Sequence, residues 1–261
     1  MFLPLDITQR FSAAYRMEAR LFFSLTPASQ HLTLANAALA SAVLGGLEMA
    51  ARAAEALGKD TPEVRQDDYI SLPGGSRSIG VKLRGGTKKL EIKIASERHP
   101  DSTSALCQHW TKFSKKVKSG EAANPTILAD TLAEILAHQS HVESTAVIQR
   151  LRQMPPNRQC DVVAMKKSRR QISLSGGVCV EEADITVWLT QAPSHVVMYR
   201  SWCFEGSGAG SELLQAMGQS ALVYVQSNFG PDRPECSVVP GGYPGFVDVC
   251  VLALRSKPSA L

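Results

Sequence analysis

The stretch 79–94, IGVKLRGGTKKLEIKI, decides the fold, because two alternating runs flank the turn residues Gly85 and Gly86. Side chains alternate along a strand, so the isoleucine, valine and leucine side chains point one way and the charged ones the other. With a loop of even length, one face of this hairpin carries Lys82, Arg84, Glu91 and Lys93. A loop of odd length without a bulge would break this grouping.

The excess of cations on that face admits two interpretations. The simpler one is an ordinary sheet with one solvated face. The functional one starts from the repulsion between like charges on neighbouring strands. An anionic ligand would relieve that repulsion, and a phosphate chain suits it because lysine and arginine both bind phosphate oxygens.

The stretch 165–170, MKKSRR, adds a second group of cations. The alternation does not decide which pair of these residues faces inward, Lys167 with Arg169 or Lys166 with Arg170. Acidic residues follow in 180–184, VEEAD, where Glu181 competes with Glu182 and Asp184 for an inward position.

Arg200 and Glu205 lie in a further strand with opposite parity, so both point inward only if a bulge intervenes. Charges of both signs on four or five strands are poorly explained by one wet face. A closed barrel explains them better, with cations for phosphate and carboxylates for Mg²⁺ or Mn²⁺, which prefer oxygen ligands.

The whole chain has 261 residues and a net charge of +4, and ten of its 28 lysines and arginines fall in 77–93 and 166–170. Its patterns predict an α+β protein with one domain, 1–261. Helices are expected from Thr26 or Ser29 to about 57, across 101–154 and over 212–225. Strands are expected at 15–24, 68–72, 78–84, 88–95, 160–174, 178–189, 196–205 and 245–254.

The six cysteines show no paired spacing, which indicates reduced thiols and a cytoplasmic location. No secretory signal or membrane-spanning stretch is expected from the sequence.

The order of these motifs resembles the CYTH-like superfamily, the triphosphate tunnel enzymes. It consists of a charged first strand (Glu18-x-Arg20), a helix, DDYISLP (67–73), IGVKLRGG, LEIK, an inserted helical segment, MKKSR, VCVEEADI and WCFEG. The similarity covers about 15–254, with the helical insert at about 101–154. It implies an antiparallel eight-stranded tunnel with flanking helices, in which basic residues hold a triphosphate and acidic residues hold Mg²⁺ or Mn²⁺.

Carried over by position, the resemblance implies roles for individual side chains. The phosphate ligands would be Arg20, Lys82, Arg84, Lys93, Lys167, Arg169 and Arg200. The metal ligands would be Glu18, Glu181 and Glu205, and Glu91 or Glu205 would orient the attacking water.

The first strand departs from the family pattern Glu-x-Glu-x-Lys, because this chain has Arg16-x-Glu18-x-Arg20. A cation in place of a carboxylate opposes metal binding and adds a phosphate contact. Two functions follow: a metal-dependent phosphohydrolase acting on a triphosphate-containing small molecule, or a non-catalytic binder of polyphosphate or another phosphorylated ligand. An RNA-related role ranks last, because aromatic residues for base stacking make up only 6% of the chain.

Overall fold

A computed structural model describes most of the barrel that the sequence predicts. The described residues are 14–24, 61–84, 89–95, 107–118, 121–137, 142–155, 157–173, 178–206, 219, 221, 223 and 238–256. Their strands are β1 (Ala14–Ser24), β2 (Glu63–Ile70), β3 (Ile79–Arg84), β4 (Lys89–Ala95), β5 (Cys107–Lys116), β6 (Val162–Ser173), β7 (Val178–Leu189), β8 (Ala192–Gly206) and β9 (Val238–Pro240). The helices with continuous bounds are α1 (Pro125–Leu136), α2 (Val142–Gln153) and α3 (Tyr243–Ser256).

Eight antiparallel strands close into a ring. Their order is β5-β4-β3-β2-β6-β7-β8-β1, and β1 also pairs with β5 to complete the circle. β1 closes the ring because it pairs with β8 along one edge and, through its first half, with β5 along the other. The short strand β9 pairs with the second half of β1. The predicted fold class, an antiparallel eight-stranded barrel with flanking helices, is confirmed.

Two of the predicted elements are wrong. The segment Cys107–Lys116, expected to be helical, is the strand β5. Its inward face mixes Gln108, Lys112 and Ser114 with the buried Trp110, so the strand shows no simple apolar alternation. The expected strand 245–254 lies in α3, whose buried residues recur at helical spacing. β5 therefore takes the eighth place in the ring.

The other predicted elements are placed as follows. The strand expected at 68–72 is longer and earlier, Glu63–Ile70, and that expected at 196–205 extends to Ala192–Gly206. The helix expected up to residue 57 lies outside the described residues. So does most of the helix expected at 212–225, of which residues 219, 221 and 223 are helical.

The helices α1 and α2 cover the outer face of β3, β4 and β5. Apolar residues of β3, β4 and β5 form a core with α1 and α2, centred on Val81, Ile92, Phe113, Leu128 and Leu132. Asn124 caps α1, because its side-chain oxygen accepts hydrogen bonds from the N–H groups of Thr126 and Ile127 at 3.0 and 3.1 Å.

The interior contains a second core, because α3 fills one end of the barrel. Phe246, Val247 and Cys250 pack against inward-facing side chains of β6, β7, β8 and β1. The ring of Phe246 stacks on that of Phe22 with centroids 3.9 Å apart, and Tyr199 meets it edge-on at 4.8 Å. One half of the barrel interior is therefore apolar and occupied.

The first turn of α3 approaches the barrel wall closely. A Cβ atom on Gly80 of β3 would lie 2.9 Å from Cγ of Pro244, so glycine at this position lets the helix enter. The loop between β2 and β3 is tied to the same helix, because the N–H of Ser76 donates to Oδ2 of Asp248 at 3.0 Å. None of the helices in the described part of the chain has the length and apolar character needed to cross a bilayer.

The packing of α3 predicts a large difference between two substitutions on the same helix. Phe246→Ala removes a fully buried ring and should lower the free energy of unfolding by about 3–5 kcal/mol. Leu252→Ala, at a side chain that is 70% exposed, should change it by less than about 0.5 kcal/mol. Urea denaturation followed by circular dichroism measures both. Equal losses would contradict the placement of α3 inside the barrel.

Candidate binding site in the barrel

A charged cavity of about 370 Å³ occupies the part of the barrel interior next to the first turn of α3. Eight cationic and four acidic side chains line it, together with Tyr69, Gln171 and Tyr243. The cations are Arg20, Arg65, Lys82, Arg84, Lys93, Lys112, Lys167 and Arg169, and the acids are Glu18, Glu91, Glu181 and Glu205.

Strand alternation brings these charges together. On β3 and β4 the residues Lys82 and Glu91 are cross-strand partners and face inward, while Val81 and Ile92 pair beside them and face the outer core. On β4 and β5 two lysines, Lys93 and Lys112, are directly opposite one another. Like charges placed in this way repel each other, which an anion between them would offset.

The most deeply buried part of the cavity is formed by two cations and two tyrosines. The Nζ atom of Lys167 donates to the hydroxyl of Tyr69 at 2.7 Å and lies 3.8 Å from the ring centroid of Tyr243. Arg20 lies over the same Tyr243 ring at 4.6 Å. Burial, together with the charge of Lys82, holds the pKa of Lys167 well below its usual value.

Asp67, a buried residue of β2, holds three cations of the cavity by one carboxylate oxygen. Its Oδ2 lies 3.0 Å from Nζ of Lys82, 3.1 Å from Nη2 of Arg65 and 3.5 Å from Nζ of Lys167. Burial alone would raise the pKa of Asp67, but these three cations, Lys82 first, hold it at about 2. The carboxylate therefore stays ionised and fixes the three cations in place.

Glu91 has the same role on β4, on the other side of Lys82. Its carboxylate lies 2.9 Å from Nζ of Lys112, 3.3 Å from Nη1 of Arg84 and 3.4 Å from Nζ of Lys82. Burial would raise its pKa, but the hydrogen bond from Lys112 and the charge of Lys82 lower it to about 2. A carboxylate with so low a pKa is a weak general base at neutral pH.

The remaining acids lie on β1, β7 and β8. Glu181 accepts from Arg20 at 2.9 Å and from Arg169 at 3.2 Å, and its pKa is about 2 although burial opposes this. Glu18 forms an ion pair with Lys93. Glu205 is the direct cross-strand partner of Glu18, which places two carboxylates side by side.

Ten of the eleven side chains predicted from the sequence line this one cavity. They are Glu18, Arg20, Lys82, Arg84, Glu91, Lys93, Lys167, Arg169, Glu181 and Glu205. The inward parity that the sequence left open is Lys167 with Arg169 on β6. Their roles in binding or catalysis stay predictions.

Arg200 is the exception, because it does not line the cavity. β7 and β8 pair without a bulge around this residue, so Arg200 has the parity opposite to Glu205. Its Nε donates to Oδ1 of its cross-strand partner Asp184 at 2.7 Å. Glu182, the other competitor of Glu181, also lies on the outer face and accepts from Nε1 of Trp202 at 3.0 Å.

Four charged or aromatic side chains of the cavity were not predicted from the sequence. Arg65 and Tyr69 share the parity of Asp67 on β2. Tyr69 lies within the strand predicted at 68–72, whereas Arg65 would have been found only if that strand had been extended to Glu63. Lys112 was hidden in a segment expected to be helical, and Tyr243 belongs to a helix expected to be a strand.

The closed antiparallel ring of eight strands and its charged interior match the tunnel that the resemblance implies. No family model matches its sequence, and no curated protein is significantly similar to it.

Two solved structures are similar to this chain at low identity and low TM-score. One is the putative adenylyl cyclase HpAC1 from Hippeastrum, described with a dominant triphosphatase activity, at 10% identity and a TM-score of 0.35 over 80% of this chain and 88% of that one. The other is the PH1012 protein from Pyrococcus horikoshii OT3, at 13% identity and a TM-score of 0.32 over 87% and 98%.

The buried carboxylates predict how stability depends on pH. Asp67, Glu91 and Glu181 have pKa values of about 2 in the folded chain, below their ordinary values of 3.8 for aspartate and 4.5 for glutamate. Their stabilising effect is therefore complete above pH 4.5 and is lost as the pH falls towards 2. Denaturant unfolding at several pH values should show this decline.

Glu91→Gln should reduce the free energy of unfolding at pH 7 and make its decrease between pH 4.5 and 2 less steep. Glu63→Gln, on an exposed side chain, is the matched control and should change the free energy of unfolding and its pH dependence only slightly. A pH profile for Glu91→Gln as steep as that of the unaltered chain would contradict the role assigned to Glu91.

Proposed function

We propose that the barrel cavity binds the triphosphate group of a small molecule and that this protein is a phosphohydrolase acting on that group. The single observation that carries this proposal is the set of eight cationic side chains around one cavity. Their charge is only partly compensated by the four acids that line the cavity and by Asp67 and Glu63, which pair with cavity cations without lining it. A cavity of this size is within the range of about 300–1,000 Å³ that is typical of small-ligand sites.

The ion pairs around the cavity favour a polyanion over a ligand with one charge. Asp67 and Glu91 each hold several cations by their oxygens and so keep them close together. Lys93 and Lys112 stay opposed across the β4–β5 pair. Several negative groups joined in a chain can contact such cations at once, with lysine as a point charge and arginine as a two-pronged donor.

A divalent metal is the cofactor that the fold implies. In the described residues no three carboxylate, histidine or cysteine side chains come together as a ligand group. The adjacent pair Glu18 and Glu205 fits Mg²⁺ or Mn²⁺ of the kind held by one or two carboxylates and completed by substrate phosphates. Such an ion would neutralise phosphate charge. Glu181 is the third ligand that the resemblance implies. Glu18 and Glu181 are both held by cavity cations, Glu18 by Lys93 and Glu181 by Arg20 and Arg169, so an ion there would compete with these ion pairs.

Hydrolysis needs a water molecule that attacks the terminal phosphorus and releases inorganic phosphate and a diphosphate. The cations would hold the phosphate oxygens and offset the charge that develops on them. Glu205 is the better candidate to orient that water, because Glu91 is committed to three cations and has a pKa of about 2.

A non-catalytic binder of a phosphorylated ligand is the second candidate. It is favoured by the engagement of Glu18, Glu91 and Glu181 in ion pairs with cavity cations. The sequence also favours this candidate, because Arg16 occupies a position of the first strand where the family has a carboxylate. The cytoplasmic location expected from the cysteines stays a prediction.

Binding can be tested with two lysines of the same strand that face opposite ways. Lys112 lines the cavity, whereas Lys115 pairs with Glu134 of α1 at 3.1 Å on the outside. Lys112→Met should weaken tripolyphosphate binding about tenfold or more, because a charged hydrogen bond contributes about 1.5–3 kcal/mol. Lys115→Met should leave it unchanged. Isothermal titration calorimetry measures both, and an equal effect of the two substitutions would rule out this cavity.

Turnover can be tested by phosphate release from tripolyphosphate, thiamine triphosphate and ATP with Mg²⁺ or Mn²⁺. Glu205→Gln should reduce the rate about 100-fold or more, as expected for loss of a group that handles the water proton. Glu182→Gln, on the outer face, is the control and should retain the rate. Tripolyphosphate binding without any release would establish the non-catalytic alternative.

A further inference from the structure

The charged cavity is exposed at the end of the barrel where β3, β5 and β6 end. Arg84 on β3 and Gln171 on β6 line the cavity and are exposed, the side chain of Arg84 by 42%. The other end of the barrel is filled by α3, whose Phe246 and Cys250 are fully buried. The rim beside Arg84 is therefore a part of the molecule that an approaching ligand meets before it reaches the cavity.

One side of this rim carries three exposed lysines. Lys89 begins β4, Lys116 ends β5, and Lys118 follows two residues later. Lys89 and Lys116 are direct cross-strand partners, an arrangement in which like charges repel each other. The three positive charges are thus concentrated at the edge of the opening.

These lysines have little compensation within the described ranges of the chain. Neighbouring cations form ion pairs there, Lys115 with Glu134 and Arg84 with Glu91, but the ammonium groups of the three rim lysines form none. The acid bonded to this group is Glu121, whose Oε2 accepts from the main-chain N–H of Lys118 at 3.1 Å. Three lysines and one glutamate leave this side of the rim positive.

The opposite side of the rim does not show this excess in the residues that the structure describes. Glu63, at the start of β2, is 58% exposed and forms an ion pair with Arg169. The next positions on β6 with the parity of Arg169 are Gln171 and Ser173, which are exposed and uncharged. The positive potential at the opening is therefore strongest on the side of β4 and β5.

The three lysines lie outside the cavity itself, which Lys112 of β5 lines. Lys116 is four residues beyond Lys112, or about 13 Å along an extended strand. Attraction between charges nevertheless acts beyond contact, because the Debye length is about 8 Å at physiological salt and longer at low salt. Clefts with one sign of charge raise the association rates of oppositely charged ligands by about 10- to 1,000-fold.

We propose, on the basis of the proposed function, that Lys89, Lys116 and Lys118 form a steering surface for polyanions. They accelerate the entry of the ligand by long-range attraction and do not contact it once it is bound. Ligands with several negative charges gain most, because the attraction increases with the charge of the ligand. Rim substitutions and salt therefore change association, whereas the cations that line the cavity determine dissociation.

The test measures both rate constants of binding to the full chain by stopped-flow fluorescence anisotropy in EDTA. The probe is tripolyphosphate with a fluorophore at one end, and excess unlabelled tripolyphosphate displaces it to give the dissociation rate constant. At about 10 mM salt, Lys89→Met/Lys116→Met should lower the association rate constant at least about threefold and change dissociation less than about twofold. At about 1 M salt, where the Debye length is about 3 Å, the difference from the unaltered chain should disappear.

The matched control is Arg158→Met/Lys166→Met, which removes two positive charges from exposed side chains elsewhere. Arg158 lies beside the last turns of α3, and Lys166 has the parity opposite to Lys167 on β6. This variant should keep the association rate constant of the unaltered chain. Equal slowing by both double substitutions would show an effect of net charge and overturn the steering surface. Faster dissociation with unchanged association would show direct contact and also overturn it. If the probe does not bind the unaltered chain, the proposed function fails as well.

Discussion

Buried charge inside the barrel must be compensated, and the Glu91 carboxylate shows how the chain does this. Three cations from β3 and β5 lie within 3.4 Å of its oxygens. Moving a charge out of water costs several kcal/mol unless partners replace the lost hydration. Asp67 and Glu181 serve other groups of cations in the same way. The carboxylates are therefore the reason that so many cations can face one cavity.

The interior of the barrel is divided between two kinds of packing. Apolar residues of α3 fill one part by close contact, and ion pairs line the other. Arg20, Lys167, Tyr69 and Tyr243 lie at the boundary, where the tyrosines present rings to the cations and hydroxyl groups for hydrogen bonding. Tyr69 and Tyr243 therefore belong to the apolar core and also contact the buried cations of the cavity.

The hairpin 79–94 shows how far the sequence leads. Its alternation predicted the inward set Lys82, Arg84, Glu91 and Lys93, because one face packs on helices and is plainly apolar. On β6 the alternation could not show whether Lys167 and Arg169 or Lys166 and Arg170 face inward. Both faces of this segment carry charges, so neither is recognisable as the buried one. Lys112 was also missed, because polar and aromatic residues occur on both faces of β5 and leave no alternation that marks a strand.

The C-terminal helix shows a different limit. In the stretch 243–256, β-branched residues such as Val247, Val249 and Val251 favour a strand by propensity alone. Burial at 243, 246, 247, 250, 251 and 254 follows helical spacing, and the space inside the barrel selects that form. Tertiary packing thus overrides local preference, which no window of sequence displays.

The pairing of β1 with β8 has a consequence for how the chain reaches its fold. Glu18 pairs with Glu205 and Phe23 with Arg200, so the ring closes through residues about 180 positions apart. Contacts of such long range make folding slow, because the intervening chain must be ordered first. During synthesis β1 emerges long before its partner, and its apolar stretch Leu21–Phe22–Phe23 has an open edge until then. The ribosome-bound chain therefore passes through a stage at which protection of this one strand decides between a closed barrel and aggregation.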